Sequence, residues 1–175
     1  MNYTINKGSH YPTKRCLLPC GGKNNRTAMS ALVSFDETCF YDPAVLGTDA
    51  GDINKLFGYS YGYFNTDSVR VGWRSKKDYI ELFIYLHVGG KRYIPSQKHK
   101  LNYQVTKNEI VALFLNNTEN SAKLTIVPSD LSKTETITVD YPHSGVAFGW
   151  QQGIYFGGNK TAPNTMYIAL EIDKL

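Results

Sequence analysis

Two neighbouring segments of the sequence alternate arginine or aromatic residues with apolar ones, and their side chains have the chemistry to bind sugars or acids. The segment SVRVGWR carries Arg70 and Arg74, and YIELFIYLHV carries Phe83, Tyr85 and His87 at every second position. Aromatic rings stack on apolar C–H faces, and guanidinium groups bind hydroxyls or carboxylates in bidentate fashion. These residue types at this spacing indicate a ligand-binding surface.

A β-hairpin is the element that would bring the two segments together. The residues between them, SKKD, favour a turn. If Lys76-Lys77 is a two-residue turn, Trp73 lies opposite Ile80 and Arg74 lies opposite Tyr79. This register collects the apolar side chains on one face, whereas a slip of one residue would mix the two faces.

The second face of the hairpin is the candidate site. A further turn at Gly89-Gly90 suits positive φ at both positions and sets His87 opposite Arg92. The candidate ligand-binding residues on this face are Arg70, Arg74, Tyr79, Phe83, Tyr85, His87 and Arg92, and Glu81 lies among them. The alternative is that long side chains cover a solvated sheet, or that this face packs on another subunit.

Alternation with a period of two also dominates the rest of the chain, as in TETITVDY and TMYIALEID. Turn residues separate these runs at about every 8 to 12 residues, which is typical of a sandwich or barrel. We therefore predict an all-β protein, an antiparallel, jelly-roll-like β-sandwich of about ten to twelve strands, forming a single domain over residues 1–175. The apolar run from Ile110 to Leu115 predicts a strand covered on both faces. One short helix is predicted near 51–57, begun by Asp52 and ended by Gly58.

A glycine-rich segment near the end of the chain, YFGGNKTAP, resembles a phosphate-binding loop only in its glycines. Such a loop needs a helix after the glycines, so that its N-terminus faces the anion. Here the following run alternates with period two and predicts another strand. We interpret Gly157-Gly158 as a backbone corner, with positive φ at one of the two and with Asn159 bonded to local backbone.

Bulk composition restricts the class of protein. The chain has 175 residues and a formal net charge of +4, too weak a charge to indicate nucleic-acid binding. No run reaches the length of a membrane-spanning helix, and the first residues lack a secretion signal, so we expect a cytoplasmic protein. Cys16, Cys20 and Cys39 are expected to be unpaired, with a Cys16–Cys20 disulfide as the rival. No ligand spacing indicates a metal, and no motif indicates a cofactor.

Motifs of known enzyme classes are absent from the sequence. Our hypothesis is therefore a non-enzymatic module that binds carbohydrate, or a surface or virion component whose partner is another protein subunit. The alternative is a glycan hydrolase, whose carboxylates would have to lie about 5 to 10 Å apart across a groove. Its candidates are Glu81 with Asp36 or Glu37, joined by His87.

Several segments together resemble an uncharacterised family of small β proteins from bacteria and their viruses. They are SFDETCFYD, DINKLFGYS, SVRVGWR, IELFIYLHVGGKR and YFGGNKTAP, and they extend from about residue 33 to the C-terminus. The resemblance implies a common β fold. It implies no activity and assigns no catalytic residue, and likeness of fold alone is weak ground for function.

Overall fold

The computed structural model describes residues 1–14, 18–20, 28–62, 66–93, 97–118, 120–141 and 149–173, with the backbone alone for 18–20, 92–93 and 97. In this part of the chain, twelve strands form two six-stranded antiparallel sheets. Sheet A contains, in spatial order, β1 (Asn2–Ile5), β12 (Met166–Ile172), β3 (Ala28–Phe35), β8 (Ile110–Asn117), β9 (Ser121–Val127) and β10 (Glu135–Asp140). Sheet B contains β2 (Leu18–Cys20), β11 (Gly149–Gln152), β4 (Asn54–Tyr61), β5 (Asp67–Ser75), β6 (Ile80–Val88) and β7 (Lys91–Tyr93).

A hydrophobic core fills the space between the two sheets. The ring of Phe35 in sheet A lies 5.2 Å from that of Trp73 in sheet B. The hydroxyl of Tyr59 in sheet B donates to the carbonyl of Ala28 in sheet A at 2.7 Å. Because side chains alternate along a strand, each sheet turns one face to this core and the other outward. The antiparallel β-sandwich predicted from the sequence is confirmed.

The helical segment lies a few residues earlier than predicted. Residues 54–57 belong to strand β4, so the helix expected near 51–57 is wrong for this segment. Two short 3-10 turns instead cover Pro43–Asp49, separated by a kink at Gly47, and the side chain of Asp42 caps the first by accepting from the Ala44 amide at 2.9 Å. The sequence of this segment does not show the alternation of a strand, because a register shift between Lys55 and Phe57 interrupts the alternation of β4. Within the described residues no helix is long and apolar enough to span a membrane.

The hairpin of β5 and β6 has the predicted faces but a different register. Its turn has four residues, closed by a hydrogen bond of 2.9 Å from the Lys76 amide to the Tyr79 carbonyl, and Lys77 takes a φ of 70°. Trp73 therefore pairs with Leu82 and not with Ile80. The difference is two residues, and because the side-chain period is also two, every side chain stays on its predicted face. Tyr79 is the exception, since it falls in the turn.

The second turn of this three-stranded unit is as predicted. Gly89 and Gly90 have φ values of 57° and 75°, the positive values that a two-residue turn of this kind requires. His87 pairs with Arg92 across it. The order β5-β6-β7 in sheet B thus follows from the sequence.

The glycine corner packs against the segment that leads into β4. Gly158 has the predicted positive φ, at 83°. The amide of Gly157 donates to Asn54 Oδ1 at 2.8 Å. Asp49 Oδ2 accepts from the amides of Asn159 and Lys160 at 2.6 and 2.7 Å. The amide of Asn159 therefore bonds a side chain distant in sequence, and the bond predicted between Asn159 and local backbone stays a prediction.

Cys39 is a free, buried thiol, as predicted, and its Sγ donates to the Tyr167 carbonyl at 3.3 Å. Burial raises the pKa of this thiol to about 12, which makes it a poor nucleophile in the folded protein. Cys16 and the side chain of Cys20 lie outside the described residues. In the described part of the chain, no group of three or more His, Cys, Asp or Glu residues is placed to hold a metal ion.

Candidate functional site

The outward face of sheet B aligns its side chains in rows across the strands. One row runs through Gln152, Gly58, Arg70 and Tyr85, and the next through Trp150, Ser60, Ser68 and His87. In these two rows β4 and β5 contribute small residues apart from Arg70, and the strands beside them contribute larger ones. A Cβ on Gly58 would lie 2.8 Å from Arg70 Cγ, so the Arg70 side chain occupies the space that this glycine leaves.

Two cations and two tyrosines form a compact group on this face, which we call the cation–ring cluster: Lys55, Arg70, Tyr85 and Tyr155. Lys55 Nζ lies 4.3 Å from the Tyr85 ring centroid and 5.4 Å from that of Tyr155. Arg70 Cζ lies 5.6 Å from the Tyr85 centroid. Arg70 is 7% exposed and Lys55 6%. Ring faces carry negative potential, so this arrangement partly stabilises two buried cations.

The environment of Arg70 is unusual for a charged group. Burial lowers the pKa of its guanidinium, although Tyr85 and Tyr155 act in the opposite direction. An arginine remains charged at neutral pH in spite of such a shift. Among the described residues, Arg70 Nε has no hydrogen-bond partner, and neither does Ser68 Oγ, which points to the same face two positions away. Unsatisfied buried polar atoms are rare in folded proteins and call for an explanation.

Exposed rings border the cation–ring cluster. His10 stacks on Tyr155 at 5.4 Å, and Tyr11 meets Tyr155 edge to face at 5.1 Å. Tyr11 is 45% exposed, and so is Trp150, which lies on the same outward face in β11. Exposed rings next to polar groups provide the stacking surface that sugar rings use.

A charged network occupies the other end of the face. Glu81 accepts from Arg74 Nη2 at 2.7 Å and from Lys100 Nζ at 2.9 Å, and Lys76 Nζ lies 3.9 Å away. Burial raises the pKa of Glu81, but the hydrogen bonds and charges of Arg74 and Lys100 outweigh it and hold the pKa below its usual value near 4.5. Three cations therefore surround one carboxylate at this end of the face.

The lowered pKa of Glu81 predicts an acid-dependent loss of stability. A carboxylate with a lowered folded pKa stabilises the fold fully above its unfolded pKa and loses this contribution as pH falls through the folded value. We expect wild type to exceed Glu81→Gln in urea midpoint at neutral pH, and the difference to shrink below about pH 4.5. The exposed Glu171→Gln is the control and should show no such difference. A gap between wild type and Glu81→Gln that stays constant down to about pH 3 would contradict the assignment.

The structure places most of the predicted site residues on one face, yet much of that face is covered. Phe83 and Tyr85 are buried and form a small apolar cluster with Ile53. Residues 97–105 cover β6 from its edge, where Lys100 bridges to Phe83. Arg70 and Arg74 have the contacts given above, and His87 Nε2 lies 3.2 Å from the Tyr85 hydroxyl. Tyr79 lies in the turn between β5 and β6. The side chain of Arg92 lies outside the described residues. Their role in ligand binding stays a prediction.

The carboxylates considered for hydrolysis do not meet. Glu81 lies on the outward face of sheet B. Asp36 caps a turn by accepting from the Thr38 amide at 2.9 Å, and it borders a depression on the outward face of sheet A with Ser34 and Tyr167. Glu37 is exposed beside it. Because the two sheets separate these groups, they cannot flank one glycosidic bond.

Sequence reasoning missed four residues that the structure adds to the site: Lys55, Tyr155, Tyr11 and Trp150. Lys55 lay in the segment expected to be helical. Tyr155 reaches the cluster through a backbone bridge to Lys55, formed between segments far apart in the chain. The available signal was the alternation in GWQQ, which places Trp150 and Gln152 on one face of a strand.

Solved structures share this β-sandwich fold. The mixed-linkage glucan PUL protein GH16 of Bacteroides ovatus matches with a TM-score of 0.57 and 12% identity, over 98% of this chain and 80% of its own. The xyloglucan PUL protein GH43B of the same organism matches with a TM-score of 0.55 and 8% identity, over 93% of this chain and 29% of its own. The alginate lyase of Klebsiella pneumoniae matches with a TM-score of 0.53 and 13% identity, over 83% of this chain and 59% of its own.

These likenesses establish the fold alone, since identity is at most 13% among the three. The chain spans well under two thirds of the alginate lyase and of GH43B, at 59% and 29% of their lengths. No protein-family model matches the sequence, and no curated protein matches it.

Proposed function

We propose that the protein binds carbohydrate through the outward face of sheet B and does not hydrolyse it. The observation that carries this proposal is the presence of the exposed rings Tyr11 and Trp150 on the face that holds the cation–ring cluster. Tyr11 and Trp150 keep 45% of their surface exposed, and Tyr155 lies between Tyr11 and the buried cations. Rings stack on the C–H faces of a sugar, and the cations and serines next to them provide donors for its oxygens.

The proteins that share the fold give further support. Three of them carry names that refer to glycans: mixed-linkage glucan, xyloglucan and alginate. A β-sandwich hosts many unrelated functions, so this support is secondary to the geometry of the face.

Binding without hydrolysis is favoured by the state of Glu81. Hydrolysis needs a protonated acid on one side of the scissile bond and a second carboxylate on the other. Among the described residues that β4, β5, β6 and β11 turn outward, Glu81 is the only carboxylate. Its pKa is lowered and it bonds Arg74 and Lys100, so it is neither a proton donor nor free to act as a nucleophile.

Removing the ring of Trp150 or of Tyr155 tests the proposal. We expect Trp150→Ala and Tyr155→Ala each to weaken saccharide binding about tenfold, because a stacking ring contributes on the order of 1 kcal/mol beyond its buried area. Retardation in gels containing mixed-linkage glucan, xyloglucan, alginate or polygalacturonate measures the affinity. Trp150→Ala should leave the melting temperature within a few degrees of wild type, since the side chain is half exposed.

The matched control is Tyr167→Ala on the outward face of sheet A, where Tyr167 is 49% exposed. This variant should bind as wild type does. If Tyr167→Ala loses binding while Trp150→Ala keeps it, the site lies on the wrong sheet. If wild type is retarded by none of the polysaccharides, the proposed function fails.

We propose as the second candidate a surface or virion component, with another copy of the chain as the partner. The observation that favours it is an exposed apolar group on the outward face of sheet A, formed by Leu32, Ile110 and Phe114. Exposed apolar side chains that adjoin one another mark protein contacts. Sedimentation equilibrium of wild type and Phe114→Ser distinguishes the outcomes: an oligomer that Phe114→Ser dissociates supports this role, and a monomeric wild type removes it.

A further inference from the structure

Ser68 and Arg70 each carry a buried polar atom that the described part of the fold leaves without a hydrogen-bond partner. Both side chains belong to β5, point to the outward face of sheet B and are more than nine-tenths buried. Among the described residues, Ser68 Oγ and Arg70 Nε have no hydrogen-bond partner. These two unsatisfied polar atoms lie on adjacent outward positions of one strand, covered from solvent, and the described part of the fold does not use them.

Both atoms are suited to an anionic oxygen. Arg70 Nε–H is a donor only, and the guanidinium is always charged; Ser68 Oγ–H donates as well. A carboxylate accepts several hydrogen bonds at once, and those from a guanidinium are among the strongest that proteins form. A neutral hydroxyl would satisfy the geometry but would leave the buried positive charge uncompensated.

The surrounding charge also favours an anion. Lys55 Nζ lies 4.3 Å from the centroid of the same Tyr85 ring that Arg70 faces at 5.6 Å. Further along the face, Glu81 is already surrounded by Arg74, Lys76 and Lys100. Among the described side chains of this face, positive groups therefore outnumber negative ones, and in a partly dehydrated site their attraction for an anion is stronger than in water.

We infer that the saccharide carries a carboxylate, as uronic acids do, and that Arg70 Nε and Ser68 Oγ donate hydrogen bonds to it. This inference rests on the proposed function and adds the substrate class. The exposed rings bind the sugar ring, the cation–ring cluster binds its acid group, and a neutral saccharide leaves the second part of the site unfilled. Arg70 keeps 7% of its surface exposed and Ser68 none, so the carboxylate has to displace the groups that cover the two donor atoms.

The experiment compares acidic saccharides with their neutral forms. Oligosaccharides of galacturonic, mannuronic and glucuronic acid are titrated by calorimetry, each beside its carboxyl methyl ester, with dextran sulfate as a general polyanion. We expect at least one acid to bind about tenfold or more tightly than its ester, since a hydrogen bond to a charged group contributes that much. Arg70→Met should remove this preference, and Ser68→Ala should reduce it.

Two controls separate a specific site from general attraction. Lys123→Met removes a positive charge from an exposed position in β9 of sheet A and should not change the affinity. Arg70→Met should melt at or above the temperature of wild type, because it removes a buried charge whose Nε is unpaired, whereas an arginine needed only for structure would lower the melting temperature. Ser68→Ala provides the test of binding if Arg70→Met does not fold.

Each remaining outcome overturns the inference. Equal affinity for acid and ester, unaffected by Arg70→Met, removes the carboxylate site and leaves the proposed function standing. Loss of affinity in Lys123→Met equal to that in Arg70→Met, or equal binding of dextran sulfate, shows charge attraction only. Binding of no saccharide, acidic or neutral, removes the inference together with the proposed function.

Discussion

Replacing Gly157 by valine is expected to lower the free energy of unfolding by about 3 kcal/mol or more. A Cβ at this position would collide with the Ile53 carbonyl oxygen and would lie 2.8 Å from Lys55 Nζ. The Ile53 carbonyl is backbone and cannot rotate away. The amide of Gly157 also donates to Asn54 Oδ1 at 2.8 Å, so relief of the clash would break a buried hydrogen bond.

Gly51→Ala is the control for this experiment, because a Cβ at Gly51 would meet nothing within 4 Å. It should change the free energy of unfolding by less than about 0.5 kcal/mol. Gly158→Val should cost on the order of 1–3 kcal/mol through its φ of 83° and a clash with the Asp52 carboxylate. Urea denaturation measures all three. A Gly157→Val protein as stable as wild type would mean that the glycine corner does not pack on β4.

Trp73→Ala is expected to cost about 3–5 kcal/mol, the usual range for removing a fully buried tryptophan. Trp73 is 0% exposed and contacts Phe35 at 5.2 Å and Phe156 at 6.5 Å between ring centroids. Its loss would open a cavity where both sheets and the segment after β11 meet. Chemical denaturation followed by far-UV circular dichroism measures the change.

Trp73→Phe separates the contribution of volume from that of polarity. Among the described residues, Trp73 Nε1 has no hydrogen-bond partner, so a phenyl ring removes an unsatisfied donor while it keeps much of the packing. We expect a cost of about 1–2 kcal/mol. Equal losses for Trp73→Ala and Trp73→Phe would show that the indole N–H, and not the ring, stabilises the core.

The fold was predictable wherever alternation and turn chemistry agreed. The β6 pattern assigned its two faces correctly, and Gly89-Gly90 fixed the turn that follows it. The SKKD turn was assigned two residues too short because a slip of two leaves the faces unchanged. The β8 run was expected to be covered on both faces, but Ile110 is 64% exposed and Phe114 47%. An apolar composition cannot distinguish a covered face from an apolar surface.

The candidate site was predictable only in part. Arg70, Phe83 and Tyr85 were placed on one face from the period of two alone. Their burial was not predictable, because it depends on Ile53 and Lys55, which reach the face through the interruption in β4. The bridge between Lys55 and Tyr155 joins segments a hundred residues apart, and such contacts leave no periodic signal in a single sequence.

Fluorescence of Trp150 provides the most direct test of carbohydrate binding at the outward face of sheet B. The chain has two tryptophans, so Trp73→Phe leaves Trp150 as the only indole. We expect a saturable change in its emission when uronate or mixed-linkage gluco-oligosaccharides are added, and a midpoint about tenfold higher in the Trp73→Phe, Tyr155→Ala double variant. Emission that stays constant with every saccharide, in a protein that melts cooperatively, would contradict carbohydrate binding at this face.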